Sequence, residues 1–259
     1  MTPRGLQAPP LQHIPLGYLD LSRWNVDAAQ MSRLLEPMAS TLEVLHVSQV
    51  PRGSLLVLPS MTALKQLHMA ATHPRPEDLQ ALARALPGAV QAVDMQSNQL
   101  TKRHLERVPE GAFARLRSLT LADNPLGDEG AKRLARLLRD TRALRELRLG
   151  QTGLGDAGVE ALAPACRLLE LLHVQENQIT SAGLRTLADA AMPRLRSLAL
   201  VENPALMRGR GGAPLAQILR TSPELWMLDI SATGVQDQDM TQELMDAFSR
   251  HTSVLVPSQ

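Results

Sequence analysis

The chain has 259 residues, 44% of them hydrophobic and 20% charged, so it can bury a sizeable core and is not disordered throughout. Aromatics make up only 2%, so that core must be filled by Leu, Ala, Val and Met. The net charge of +1 supplies no strong field for nucleic acid or a membrane surface.

Residues 1–15 contain Pro3, Pro9, Pro10 and Pro15 and no long apolar run, which reads as an N-terminal segment rather than a signal peptide. No apolar stretch approaches the ~20 residues of a membrane helix. Cys166 is the one cysteine, so no internal disulfide forms. A soluble cytoplasmic protein is expected. Among 27 basic residues only Lys65, Lys102 and Lys132 are lysines. With 26 acids to balance them, the arginines read as codon usage rather than phosphate recognition.

From Leu16 onward one pattern recurs. It is clearest as Leu116, Leu119, Leu121, Asn124 and Leu126. Copies begin at Leu16, Leu42, Leu64, Val90, Leu116, Leu144, Leu169, Leu195 and Leu225, nine in all. Their spacings are 26, 22, 26, 26, 28, 25, 26 and 30 residues. The fourth and sixth positions of each copy are apolar and two residues apart, so both point inward from a short strand while the fifth points out. At the ninth position Asn98, Asn124, Asn177 and Asn203 can bond neighbouring backbone where the strand turns; Thr152 and Thr233 can do so less completely. Gly130, Gly158 and Gly183 precede apolar patterns such as Leu134, Leu137 and Leu138, which read as amphipathic helices. The second copy carries Pro51 and Pro59 and is not expected to hold a full helix.

This pattern resembles the leucine-rich repeat family over residues 16–235, and its longer periods with helical second halves resemble the ribonuclease-inhibitor-like subclass. The resemblance implies an α/β solenoid, a horseshoe with a parallel concave sheet and helices on the convex side. Strands at about 4.8 Å would give a curved sheet roughly 40 Å long. The chain is read as one domain over 1–259: the N-terminal segment 1–15, about nine repeats over 16–235, and a C-terminal cap over 236–259. Trp24, in the ninth position of the first copy, and the face of Met240, Leu244 and Phe248 are expected to cover the open ends.

No nucleophile elbow, zinc spacing, P-loop or dinucleotide fingerprint is present. Arg208-Gly209-Arg210-Gly211-Gly212 lacks the Lys-Ser/Thr of a phosphate loop and reads as a surface insertion. Cys166 occupies the slot of Leu138 and reads as a buried helix residue, not a catalytic thiol. No cofactor is expected.

Candidate binding residues follow from repeat position. The fifth positions run Asp20, His46, His68, Asp94, Thr120, Arg148, His173, Ala199, Asp229, one polar line along the inner sheet. His46 and His68 are the only candidates for a metal, and a plain polar stripe is the better reading of them. The second positions Arg117, Arg145, Glu170 and Arg196 make one edge mainly basic. The eighth positions Asp123, Gln151, Glu176 and Glu202 make the other mainly acidic, a pattern that orients a complementary protein. Trp226 is either an interface anchor or packed on the C-terminal cap. The convex run Lys132, Arg133, Arg136, Arg139 and Arg142 reads as a solvated helix face.

The expected function is a non-enzymatic protein-binding scaffold or adaptor, gripping a protein partner on its concave face. Arg117, Arg145, Arg148, His173, Glu176, Arg196, Glu202 and Trp226 are the expected contacts, with no nucleic acid and no membrane among the partners. The alternatives are a regulator of a small GTPase, with Arg148 or Arg117 stabilising transition-state charge, or the recognition subunit of a larger sensing or effector assembly.

Overall fold

The computed structural model describes residues 16–24, 26–48, 58, 60–85, 88–208, 211–234 and 241–250. Nine short strands follow in chain order: β1 (Tyr18–Leu21), β2 (Val44–Val47), β3 (Gln66–His68), β4 (Ala92–Asp94), β5 (Ser118–Thr120), β6 (Glu146–Arg148), β7 (Leu171–His173), β8 (Ser197–Ala199) and β9 (Met227–Asp229). They pair as neighbours in one parallel sheet. Between or after them run α1 (Ala28–Leu35), α2 (Pro76–Ala85), α3 (Lys102–Glu106), α4 (Gly127–Leu138), α5 (Asp156–Cys166), α6 (Ser181–Ala190), α7 (Gly212–Thr221) and α8 (Gln242–Arg250).

The register is the one the repeats predict. Leu45, Leu67, Val93, Leu119, Leu147, Leu172, Leu198 and Leu228 stand side by side across the sheet and are buried. From the third copy on, the strands themselves sit one residue earlier than expected, as at Ser118–Thr120 in place of 119–121. The chain already turns at the sixth position, because the eighth residue is left-handed in copy after copy. Ala71, Ser97, Asp123, Gln151, Glu176, Glu202 and Ala232 all have φ between 52° and 57°. Such a conformation costs a non-glycine residue roughly 1 kcal/mol. It turns each eighth amide onto the next copy: Asp123 donates to the Gly150 carbonyl at 2.9 Å and Glu176 to that of Val201 at 2.8 Å.

The ninth-position side chains stitch the copies together. Asn177 is buried; its Nδ2 donates to the carbonyls of Leu149, Val174 and Gln175 at 2.8, 2.9 and 3.0 Å. Its Oδ1 accepts from the amides of Thr152 and Leu154 in the preceding copy, at 3.1 and 2.9 Å. Asn98, Asn124 and Asn203 repeat this arrangement in both directions. Thr152 and Thr233 donate only locally or forward, each hydroxyl reaching a carbonyl three residues back at 2.9 and 2.6 Å. The copies before those threonines have Pro125 and Pro204 at the tenth position, where no N–H is left unmet. There Gly127 and Met207 cross to the Thr152 and Thr233 carbonyls instead, at 2.9 and 3.1 Å.

The helix starts are stitched in the same way. Asp128 Oδ1 accepts from the amides of Gly155 and Gly158 in the next copy, at 2.7 and 3.0 Å. Asp156 Oδ1 does the same for Thr180 and Gly183, at 2.8 and 3.0 Å. A Cβ at Gly183 would lie 2.4 Å from that carboxylate, so the glycine makes room for the cap.

The core is one continuous aliphatic cluster from Leu21 to Ala247, with Phe113 its only fully buried aromatic. Leu244 is buried and Phe248 partly buried in the final helix, as expected of a cap; Met240 lies outside the described residues. Trp24 is not a plug: it is 63% exposed. Gly211 and Gly212 are buried at the start of α7, so that part of the glycine-rich string is structural; Gly209 and Arg210 lie outside the described residues. So do Pro51 and Pro59 of the second copy.

Asn177→Leu would leave the buried amides of Thr152 and Leu154 unpaired, while the carbonyls of Leu149, Val174 and Gln175 keep a second donor each. It should lower the unfolding free energy by about 2–5 kcal/mol in urea titrations, and Asn177→Thr, which keeps a bond only within its own turn, should cost nearly as much. A threonine variant as stable as the parent chain would mean that the bonds to the preceding copy contribute nothing.

Candidate functional site

The inner face of the sheet carries two outward lines, not one. Strand side chains alternate, so the third and fifth positions both point away from the core. The fifth line is continuous through the sheet: Asp20, His46, His68, Asp94, Thr120, Arg148, His173, Ala199 and Asp229 pair in register. Most of these are half-buried; Thr120 and Ala199 are buried at 9% exposure. The third line, which the strand alternation already implied, runs from Tyr18 through Ser118, Glu146 and Ser197 to Met227.

At the N-terminal end the imidazoles of His46 and His68 stack, with centroids 4.0 Å apart and planes 20° from parallel. Tyr18 tilts onto His46 at 5.2 Å, and Asp94 lies 3.6 Å from His68 Nδ1. Imidazole lone pairs lie in the ring plane, so two stacked rings do not converge on one ion. Among the described residues no group of three metal-ligating side chains is brought together. Burial and the neighbouring His68 hold His46 below the ordinary imidazole value, against the pull of Asp20 and Asp94.

In copies five to eight the two lines interlock. Glu146 Oε2 accepts from Ser118 Oγ at 3.1 Å and from Arg148 Nη1 at 2.9 Å. His173 Nε2 meets Ser197 Oγ at 2.9 Å. Burial and the Arg148 charge lower the His173 pKa, so the ring is neutral at neutral pH. This serine–histidine pair makes a poor nucleophile: the Ser197 residue is only 3% exposed, and the strand amides around it are spent on the sheet, leaving no donor pair for an oxyanion.

Along the edge expected to be mainly basic, the charges pair into a ladder. Glu170 lies 3.6 Å from Arg145 and 3.3 Å from Arg196, and Arg196 is 2.9 Å from Glu224. Arg145 also donates to the carbonyls of Arg142 and Leu144. Arg117 is exposed and makes no ion pair among the described residues. At the opposite edge Glu176 and Glu202 are exposed on their left-handed residues, whereas Asp123 accepts from Gln96 and Ser97 at 2.7 and 3.1 Å. A shallow recess of about 620 Å³ lies there, lined by Asp123, Gln151, Thr152 and Glu176 among others.

Trp226 stands at the second position beside Arg196 and is 49% exposed; Tyr18, at the far end of the sheet, is 55% exposed. The chain has two Trp, one Tyr and two Phe, and three of these five are exposed. The exposure of Trp24 was not legible in the sequence: it shares the ninth position with buried residues, and only the packing shows that nothing among the described residues covers it. Trp226 shares the second position with the charged edge row and stays half exposed there.

The profile of the leucine-rich repeat family matches residues 116–135, 142–163 and 165–188. These copies are leucine-rich repeats, and the chain is similar to leucine-rich repeat proteins of the ribonuclease-inhibitor-like type. It is 29% identical over 194 residues to the ribonuclease inhibitor of Sus scrofa, covering 57% of this chain and 41% of that protein. It is 32% identical over 181 residues to podocan-like protein 1 of Homo sapiens, covering 67% and 32% respectively. The chain thus spans about two-fifths of the first relative and about a third of the second. An internalin of Listeria monocytogenes shares the fold with a TM-score of 0.59 at 18% identity, over 93% of this chain and 67% of that one. Among the described residues of this leucine-rich repeat chain, no helix is long and apolar enough to cross a membrane.

His46 titrates below 6.5 in the folded chain, so folding disfavours its protonation and stability should fall as pH drops below 6.5. His46→Gln should flatten that fall in thermal melts taken across the histidine range. An unchanged slope would show that His46 contributes nothing to it.

Proposed function

We propose that the chain is a non-enzymatic protein-binding scaffold whose concave face grips a protein partner. The observation that carries the reading is the placement of aromatics. A protein with so few of them leaves Tyr18 at one end of the inner sheet and Trp226 at the other, each about half exposed. Large rigid side chains of this kind are the usual anchors of interfaces. Between them lie Arg148, His173 and the Glu146 network, with Arg117 on one edge and Glu176 and Glu202 on the other. The Arg145–Glu170–Arg196–Glu224 ladder offers both signs and favours a partner of mixed charge rather than a polyanion. One similar protein is by its name an inhibitor of ribonuclease, which places a protein among the ligands of that relative.

Cytoplasmic placement belongs to the same reading. Cys166 is fully buried and its thiol is pushed up to about 12 by burial, so it takes part in no disulfide or redox chemistry. Of the two arginines that a GTPase-regulating role would use, Arg148 is fastened to Glu146 at 2.9 Å, which leaves only Arg117 for it.

The test is affinity capture from source lysate with the intact chain as bait. The protein it retains should be lost, by about tenfold or more in affinity, with Trp226→Ala combined with Tyr18→Ala. Arg117→Glu with Arg148→Glu should slow association and flatten its salt dependence while leaving dissociation nearly unchanged. Retention untouched by both variants would sink the concave reading.

A further inference from the structure

The convex face holds a groove that the concave reading does not use. It lies between α4 and α5 and has a volume of about 500 Å³, within the size range of sites for small molecules or short peptide segments. One wall is basic. Lys132 and Arg136 are four residues apart on α4 and Arg139 follows three later at its C-cap, so they share one face, and Arg142 continues the wall beyond the helix end. The floor and far wall are aliphatic, made by Ala161, Ala165 and Leu168 among others. No carboxylate lines the groove.

The cations differ in how far they are compensated. Lys132 is held by Glu129 at 2.7 Å. Arg133, next to the groove in sequence, faces the other way: it is largely buried and donates to the carbonyls of Leu105 and Val108 at 3.2 and 2.6 Å. It is therefore a cap on the preceding copy and no part of a solvated cationic face. Arg136, Arg139 and Arg142 are exposed and form no ion pair among the described residues; the nearby acids Asp140 and Glu160 stay outside the groove lining. Three guanidinium groups with no ion pair among the described residues, beside an aliphatic floor, form a surface complementary to carboxylates on a chain that also carries an apolar side chain.

We propose that this groove binds an acidic segment of a protein partner, with carboxylates on Arg136, Arg139 and Arg142 and one aliphatic side chain in the recess. Nucleic acid fits less well, because no aromatic lines the groove to stack a base. A membrane fits less well, because the exposed large apolar residues among those described are Tyr18, Trp24, Trp226 and Met245, none of them beside this groove.

The probe is a fluorescein-labelled peptide of Glu and Asp around a single Leu, read by fluorescence anisotropy against the full chain. Two control peptides replace the acids by Gln and Asn, or the Leu by Ser. The acidic Leu peptide should bind, in a salt-sensitive way, and both controls should bind more weakly. Arg136→Gln, Arg139→Gln and Arg142→Gln together should weaken it by about tenfold or more. Ala161→Phe, which fills the recess and leaves every charge in place, should weaken it as well, while Arg23→Gln with Arg194→Gln, exposed arginines outside the groove, should not. Circular dichroism checks that each variant is folded. The proposal is overturned if the Ser peptide binds equally, if the triple Gln variant binds undiminished, or if Ala161→Phe is folded and binds as before. It is also overturned if phosphatidylserine vesicles or a mixed-sequence DNA duplex are retained more tightly than the peptide.

Discussion

A strand that must turn sharply every copy leaves buried amides and carbonyls with no partner of their own, and the asparagine at the ninth position satisfies them across the copy boundary. Asn177 alone links five backbone groups, three in its own turn or the one before it through Nδ2 and two more through Oδ1. Leaving such groups unmet costs about 1–3 kcal/mol each. Any sliding or tilting of one copy against the next would break several at once. The spacing of the outward side chains is therefore set by the buried turn, and the inner face inherits a regular geometry from residues that never touch a partner. The aspartates at the helix starts extend the same device to the convex side, where they fix how α5 and α6 stand against their neighbours.

The sequence made this architecture readable because the repeat unit carries its own register. Leu119, Leu147 and Leu172 were aligned by spacing, and they stand side by side in the sheet. Cys166 was placed by its slot and is buried there. What spacing could not supply was the behaviour of long side chains. Arg145 and Arg196 share a row with Arg117, yet the first two bend along the edge to Glu170 and Glu224 while the third does not. Arg133 sits among solvent-facing arginines by helical spacing, yet its guanidinium reaches back to the carbonyls of Leu105 and Val108. Trp24 shows the opposite failure: a large apolar residue at an open end invites the reading of a plug, and it is exposed. The one-residue shift of the strands has a local cause, the left-handed eighth residue, that no apolar pattern records.

Two surfaces of different character result. The inner face is half-buried, mixed in charge and closed at both ends by aromatics, which suits a folded partner met over a broad area. The convex groove is narrow, of one sign and floored by small aliphatics, which suits a short segment. A scaffold that holds a body on one face and a tail on the other gains by effective concentration without any further contact. Both surfaces depend on the copies keeping a fixed spacing.

That dependence is the central claim, and native-state amide hydrogen exchange addresses it directly. The N–H groups of Leu100, Leu154 and Ile179 bond to the asparagine side chains of the next copy at 2.8, 2.9 and 3.0 Å, and lie in turns rather than in strands or helices. If the asparagines lock the copies together, these turn amides exchange only through the cooperative opening that also exposes the amides of β5 to β8. Exchange at the rate of exposed turn amides, with the strands still protected, would contradict it.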